Sequence, residues 1–263
     1  YGIDLARQQN NAVEPLITAK FNQDGGWNDN CPSGCESQEV LVGCVSVSMS
    51  QIMHYWKYPL QGTGQYTYPD PEGDEPSFGI LSVNFSNSEY DYIEMGDGTI
   101  ASEAAALLLS DVGVSVKMDY GCDESGAQVT GTGNSYPTAQ DAFTNYFMFD
   151  DNITSKNRNS LTDDQFISLL KTEFDNNRPI IYTGYDEELD GEVAGHAWNC
   201  DGYDEYGLFH MNWGWGGSSN GYFDINRLTT SGNTFSEGQS ILYNIQPEVL
   251  NAPNLILETS FTY

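Results

Sequence analysis

The sequence predicts an α+β chain, mainly helical in its first part and mainly antiparallel sheet in its second. Two observations carry this. Residues 44–58, 102–111, 138–149 and 163–176 read as helices, the first from apolar positions at helical spacing and the second from its Ala/Leu-rich composition. After Pro179 the period changes: PIIYTGY, HAWNCDGY, LFHMNWG and GYFDIN are short, aromatic or β-branched, and separated by Gly/Asp turns. Helices first and strands later imply two lobes, one helical and one a sheet.

Taken in order, residues 4–20 read as a short helix with Leu5, Val13, Leu16 and Ile17 apolar and Pro15 interrupting it or opening a second turn. Residues 22–43 are a loop rich in Asn, Gly, Asp and Ser. Val45, Val47, Met49, Ile52, Met53 and Trp56 then mark a largely buried helix that Cys44 opens and Pro59 stops. Residues 60–98 read as loop and turn. Gly113 is expected to end the next helix, with VSVKM (114–118) alternating like a short strand and 119–136 forming a loop. Thr162 or Asp163 opens the helix over 163–176, and ILYNI (241–245) is one more strand. The expected organisation is one domain over 1–246, with lobes 1–150 and 151–246, and a tail or linker over 247–263.

Composition narrows the partners. Thirty-eight acidic residues against 9 basic ones give a formal net charge of -29, a field that repels nucleic acid and anionic membranes. No apolar run approaches the roughly 18–20 residues of a membrane span. The first 20 residues carry no basic head followed by an apolar stretch, so no signal peptide is read there. Acidic, Asn-rich loops at 150–164 and 186–192 raise calcium as a separate reading, without EF-hand spacing.

Five cysteines leave at least one without an intramolecular partner. Cys31 and Cys35, in the loop CPSGC, are close enough for a local disulfide; zinc ligation by the pair lacks a compact second pair of ligands. Cys200 reads as a small buried side chain, and Cys122 has no assignment.

Cys44 is the candidate nucleophile, since unpaired N–H groups and the dipole at a helix start favour a thiolate and lower its pKa. Taken alone, a cysteine opening an apolar helix is more often a core residue. Among the three histidines, His54 lies ten residues along the same helix and cannot meet Cys44, and His210 sits in an alternating strand beside aromatics. His196 remains as the base. In the run Asn212-Trp213-Gly214-Trp215-Gly216-Gly217 an amide is expected to fix the second imidazole nitrogen and a tryptophan to shield that bond; a packed aromatic turn is the plainer reading. Gln23, in FNQDGG, is a candidate oxyanion donor.

Taken together, GCVSVSMSQIMHYWKYP (43–59), LLLSDVGVSVKMDYG (107–121), GHAWNCDGYD (195–204) and FHMNWGWGGSSNGYFDIN (209–226), with FNQDG (21–25), resemble the streptopain family of bacterial cysteine peptidases. The resemblance runs over roughly residues 10–246, with order and relative spacing retained. It implies a two-lobed papain-like fold with the cleft between the lobes, Cys44 as nucleophile and His196 as general base and acid. It also implies Gln23 with the Cys44 N–H as oxyanion hole, and Asn212 and Trp213 orienting the histidine. It implies no metal or organic cofactor, protein or peptide substrates, an inhibitory prodomain or inhibitor protein as partner, and secretion by a bacterium. On this reading the chain resembles a mature form. The CPSGC loop departs from what the family leads one to expect. A cysteine-dependent acyl transferase or amidase, and a non-catalytic surface-binding protein that keeps the fold, are the alternatives.

Overall fold

The computed structural model describes residues 12–35, 40–70, 77–131, 137–187, 193–230 and 232–248. Its first helix, α1 (Cys44–Trp56), has every residue from Val45 to His54 buried. Lys57, in the left-handed conformation at φ 50°, ends it ahead of Pro59. The second, α2 (Glu103–Ser115), is capped by the Ser102 hydroxyl, which accepts from Ala105 N–H. It runs through Gly113 instead of ending there, so the expected strand over 114–118 does not form. A side chain at residue 113 would collide with the Tyr120 hydroxyl, and the glycine lets that ring close on the helix. The third, α3 (Ala139–Asn145), and fourth, α4 (Asp163–Asp175), each open on a capping box, Thr138 with Asp141 and Thr162 with Gln165.

Strands β1 (Gln65–Pro69) and β2 (Ile80–Asn84) form a separate antiparallel pair inside the stretch read as loop. The remaining strands are β3 (Thr154–Asn157), β4 (Ile180–Glu187), β5 (Val193–Tyr203), β6 (Phe209–Asn212), β7 (Gly221–Phe223) and β8 (Glu237–Tyr243). They form one antiparallel sheet in the order β3-β8-β4-β5-β6-β7. The helix expected over 4–20 is not seen where the chain is described. Val13 instead exchanges both backbone hydrogen bonds with Tyr203, at 2.8 and 2.9 Å, and Leu16 and Ile17 donate to Asp201, so 13–17 runs along β5. Residues 4–11 lie outside the described residues, as do 188–192 and 249–263.

Two cores flank the sheet. One joins α1, α2 and α3 with Phe21, Val42, Ile181, Ala197 and Leu242. The other joins Phe166, Leu170 and Phe174 of α4 with Tyr182, Trp198, Phe209, Met211 and Trp213. Alternate residues of β5 divide between them, Ala197 facing α1 and Trp198 facing α4, as a pleated strand requires. At about 25 cal/mol per Å² of apolar surface, each fully buried tryptophan or phenylalanine contributes several kcal/mol.

The local Cys31–Cys35 disulfide is not formed. Cys35 pairs with Cys122, 87 residues away, and Cys31 is a free thiol that burial pushes up to about 12. The tertiary fold brings the loop after Tyr120 against the segment leading into α1, which spacing along the chain does not reveal. In the chain-entropy account, closing a loop of that length stabilises the fold by about 4–5 kcal/mol. Among the described residues no three His, Cys, Asp or Glu side chains are placed to hold a metal ion. No described helix is long and apolar enough to cross a membrane.

Candidate active site

Cys44 is the first residue of α1 and is preceded by Gly43 at φ 88°, ψ 137°. With no side chain at the N-cap, nothing from residue 43 occupies the free N–H groups of the first turn. Cys44 packs against the core that includes Ala197, the residue after His196 in β5, and the Ala197 N–H favours its thiolate. The thiol thus lies against the strand that carries the imidazole. Burial pushes the thiol pKa up, and the N–H groups of Ala197, Val45 and Cys44 itself oppose that rise. The expected lowering by the helix start is present, but desolvation outweighs it. Glu124, on the loop that packs on Gly43 through the Ser125 carbonyl, adds to the rise.

His196 is 8% exposed, and its Nε2 lies 2.9 Å from the Trp213 carbonyl oxygen. A carbonyl only accepts, so Nε2 carries the proton and Nδ1 is left with its lone pair. Burial lowers the imidazole pKa to about 4, against a smaller opposing effect of the Trp213 carbonyl. Rings enclose it: Trp215 stacks at 4.8 Å, Phe235 at 5.1 Å, Trp198 at 5.9 Å and Trp213 at 6.2 Å. Gly184, opposite His196 on β4, allows this closure, because a side chain there would run into the Phe235 carbonyl and the Trp198 ring.

Asn212 does not meet the imidazole. Its Nδ2 donates to the Ala19 carbonyl at 2.8 Å, and its Oδ1 accepts from Gly214 N–H at 3.3 Å. The contact the amide was expected to make is supplied by the main chain one residue later. Trp213 brings that carbonyl, while Trp215 lies closer over the ring. Gln23 accepts through its main-chain carbonyl from Val42 N–H at 3.0 Å, which sets its backbone beside the last residues before Cys44. Sequence reasoning missed Trp215 as the nearest ring and missed Phe235 altogether. The Trp-x-Trp run held a signal for the first, since both of its rings stack on the imidazole, at 6.2 and 4.8 Å; nothing local pointed to the second.

A model of the peptidase C10 family matches residues 21–223. The chain belongs to the peptidase C10 family. It is 30% identical over 261 residues to the thiol protease/hemagglutinin PrtT of Porphyromonas gingivalis, covering 95% of this chain and 28% of PrtT. It is 31% identical over 240 residues to streptopain of Streptococcus pyogenes, covering 83% of this chain and 57% of streptopain. The C10 chain therefore spans less than two thirds of either relative. Among solved structures it matches active wild-type interpain A cysteine protease of Prevotella intermedia with a TM-score of 0.76 and 29% identity, covering 88% of this chain and 94% of that one. A prointerpain A fragment matches with a TM-score of 0.69 and 28% identity, covering 88% and 71%. The fold is the mixed α+β, papain-like fold of this family.

The two pKa directions define a pH window. Were Cys44 to attack with His196 as its base, the pair would be competent with one proton between them, and a second proton on the imidazole would remove the base. The acid limb of kcat/KM is therefore expected at about 4, below the ordinary histidine range, and the alkaline limb above the ordinary cysteine value. Between about 4 and 6.5 the unfolded chain binds more protons at this residue than the folded one, so its contribution to stability declines as pH falls through the window. Recording Tm alongside kcat/KM separates the two effects. An acid limb near 6.5 in fully folded protein contradicts the buried, uncharged imidazole.

Proposed function

We propose that this C10 chain is a cysteine endopeptidase in which Cys44 attacks and His196 carries the proton. What supports the reading is Cys44 at the start of α1, packed on the core that takes in Ala197, next to His196 along β5, whose Nε2 is held by the Trp213 carbonyl. In the first half-reaction His196 Nδ1 takes the thiol proton and the sulfur bonds to the scissile carbonyl carbon. The resulting oxyanion is met by the Cys44 N–H and the Gln23 amide, where losing one donor typically costs about 2.7–4 kcal/mol. His196 then protonates the amine as the C–N bond breaks, leaving a thioester. Water, deprotonated by His196, attacks that thioester and releases the acid and the thiol. Trp213 acts through its carbonyl, and Asn212 acts one step removed, by holding the segment ahead of Gln23.

The wider reading is a single peptidase domain over 1–246 with lobes 1–150 and 151–246, secreted by a bacterium and released from a zymogen. The two cores on either side of the sheet support the lobes. The bacterial thiol proteases among its relatives and the pro-form among the similar structures support the rest. Its substrates are proteins or peptides, with a prodomain or inhibitor protein as the blocking partner.

Trapping decides between hydrolase and transferase. Protein mixed with a peptide ester and quenched in acid is expected to carry the acyl mass on the fragment containing Cys44. Water is then expected to remain the principal acceptor when a free amine is added. Acylation elsewhere, or none, overturns the reading, and preferential transfer to the amine makes the protein an acyl transferase.

A further inference from the structure

Two buried amides outside the proposed reacting groups lie where the pieces of the site converge. Gln51 is seven residues after Cys44 in α1, on the same face of the helix two turns on, and has no exposed surface. Its Nε2 donates to Asn199 Oδ1 at 2.9 Å. Asn199 is equally buried and stands on β5, on the strand face that Ala197 shares. Its Nδ2 donates back to the Ser48 carbonyl of α1 at 3.1 Å. The Gln51 Oε1 accepts from Phe21 N–H at 3.3 Å, two residues before Gln23. The register partner of Asn199 on β6 is Asn212, which holds the Ala19 carbonyl.

The helix carrying Cys44, the strand carrying His196 and the segment carrying Gln23 are thus joined side chain to side chain and side chain to backbone. Apolar packing would bury the same area but would tolerate sliding of the helix along the sheet. Hydrogen bonds restrict both distance and angle, and a buried amide left unpaired costs about 1–3 kcal/mol. Resting on the proposed roles of Cys44, His196 and Gln23, we infer that Gln51 and Asn199 are positioning residues for the chemical step: they set the register of nucleophile, base and oxyanion donor without touching substrate.

Gln51→Met keeps the volume and removes the bonds. Gln51→Glu is the conservative variant: when protonated, its carbonyl can accept from Phe21 and its O–H can donate to Asn199, and burial raises the pH at which that proton is held. For folded Gln51→Met, kcat is expected to fall about tenfold or more with KM nearly unchanged. The rate of Cys44 alkylation by iodoacetamide is expected to fall with it. The kcat of Gln51→Glu relative to the parent is expected to rise as pH is lowered. A Gln51→Met protein that loses only Tm, with kcat and alkylation rate intact, overturns the inference. If that variant does not fold, a pH-independent ratio for Gln51→Glu does the same. A Cys44→Ala control separates the two levels: turnover persisting there defeats the assignment of the nucleophile, whatever the amides do.

Discussion

Cys44→Ala is expected to lower kcat by roughly 10⁴- to 10⁶-fold, with peptide binding retained. The sulfur has no substitute at the site. Of the other cysteines, Cys200 is fully buried on β5, Cys35 and Cys122 are bonded to each other, and Cys31 is held neutral by burial. His196→Ala is expected to fall in the same range, because burial holds the thiol protonated unless a base takes its proton as attack occurs. In the proposed mechanism the pair works as a unit, so the double variant is expected to be hardly worse than either single one. Steady-state and single-turnover kinetics on a fluorogenic peptide, with titration of bound peptide as the control for folding, measure all three. Additive losses would mean that the two residues act independently.

Gly43→Ala is expected to damage stability and turnover together. At φ 88° and ψ 137° residue 43 occupies a region essentially reserved for glycine, and forcing another residue there costs about 1–3 kcal/mol. The new Cβ would meet Met118 Sδ at 2.6 Å and the Ser125 carbonyl at 3.1 Å. Met118 is fully buried, so its side chain has little room to retreat, and overpacking of this kind adds about 1–3 kcal/mol. Together these correspond to a Tm lower by roughly 5–15 °C. The relief available is a shift of the peptide unit that carries the Cys44 N–H. That would misplace both nucleophile and oxyanion donor, and a displacement of about 1 Å is worth up to about 100-fold in rate. Calorimetry and kcat on the same sample check both. A variant with parental Tm and kcat would show that the segment yields freely.

Much of the architecture was legible locally. A run such as Val45–Met53 buries every position, and caps such as Thr162 with Gln165 are written within four residues. The pairing of β1 and β2 was not legible, because Tyr68 is the one buried position in the two short strands, and the other inward residues, Tyr66, Leu81 and Val83, are only half-buried within a stretch dense in Pro, Gly and Asp. The VSVKM segment misled for the opposite reason: its alternation is real, but its first residues are the last turn of α2, and Lys117 turns the chain at φ 53°.

Within the site, residue type and order along the chain determined Cys44 at a helix start, His196 on a strand and the aromatic turn that follows. Those are properties of periodicity and of nearest neighbours, and they are set before the chain closes on itself. Only the tertiary structure decided that a main-chain carbonyl, not the Asn212 amide, holds the imidazole, that Cys35 bonds to Cys122, and that desolvation raises the thiol pKa. Each depends on which distant segments come within a few ångströms and on how much water they exclude, and neither is encoded at any one position.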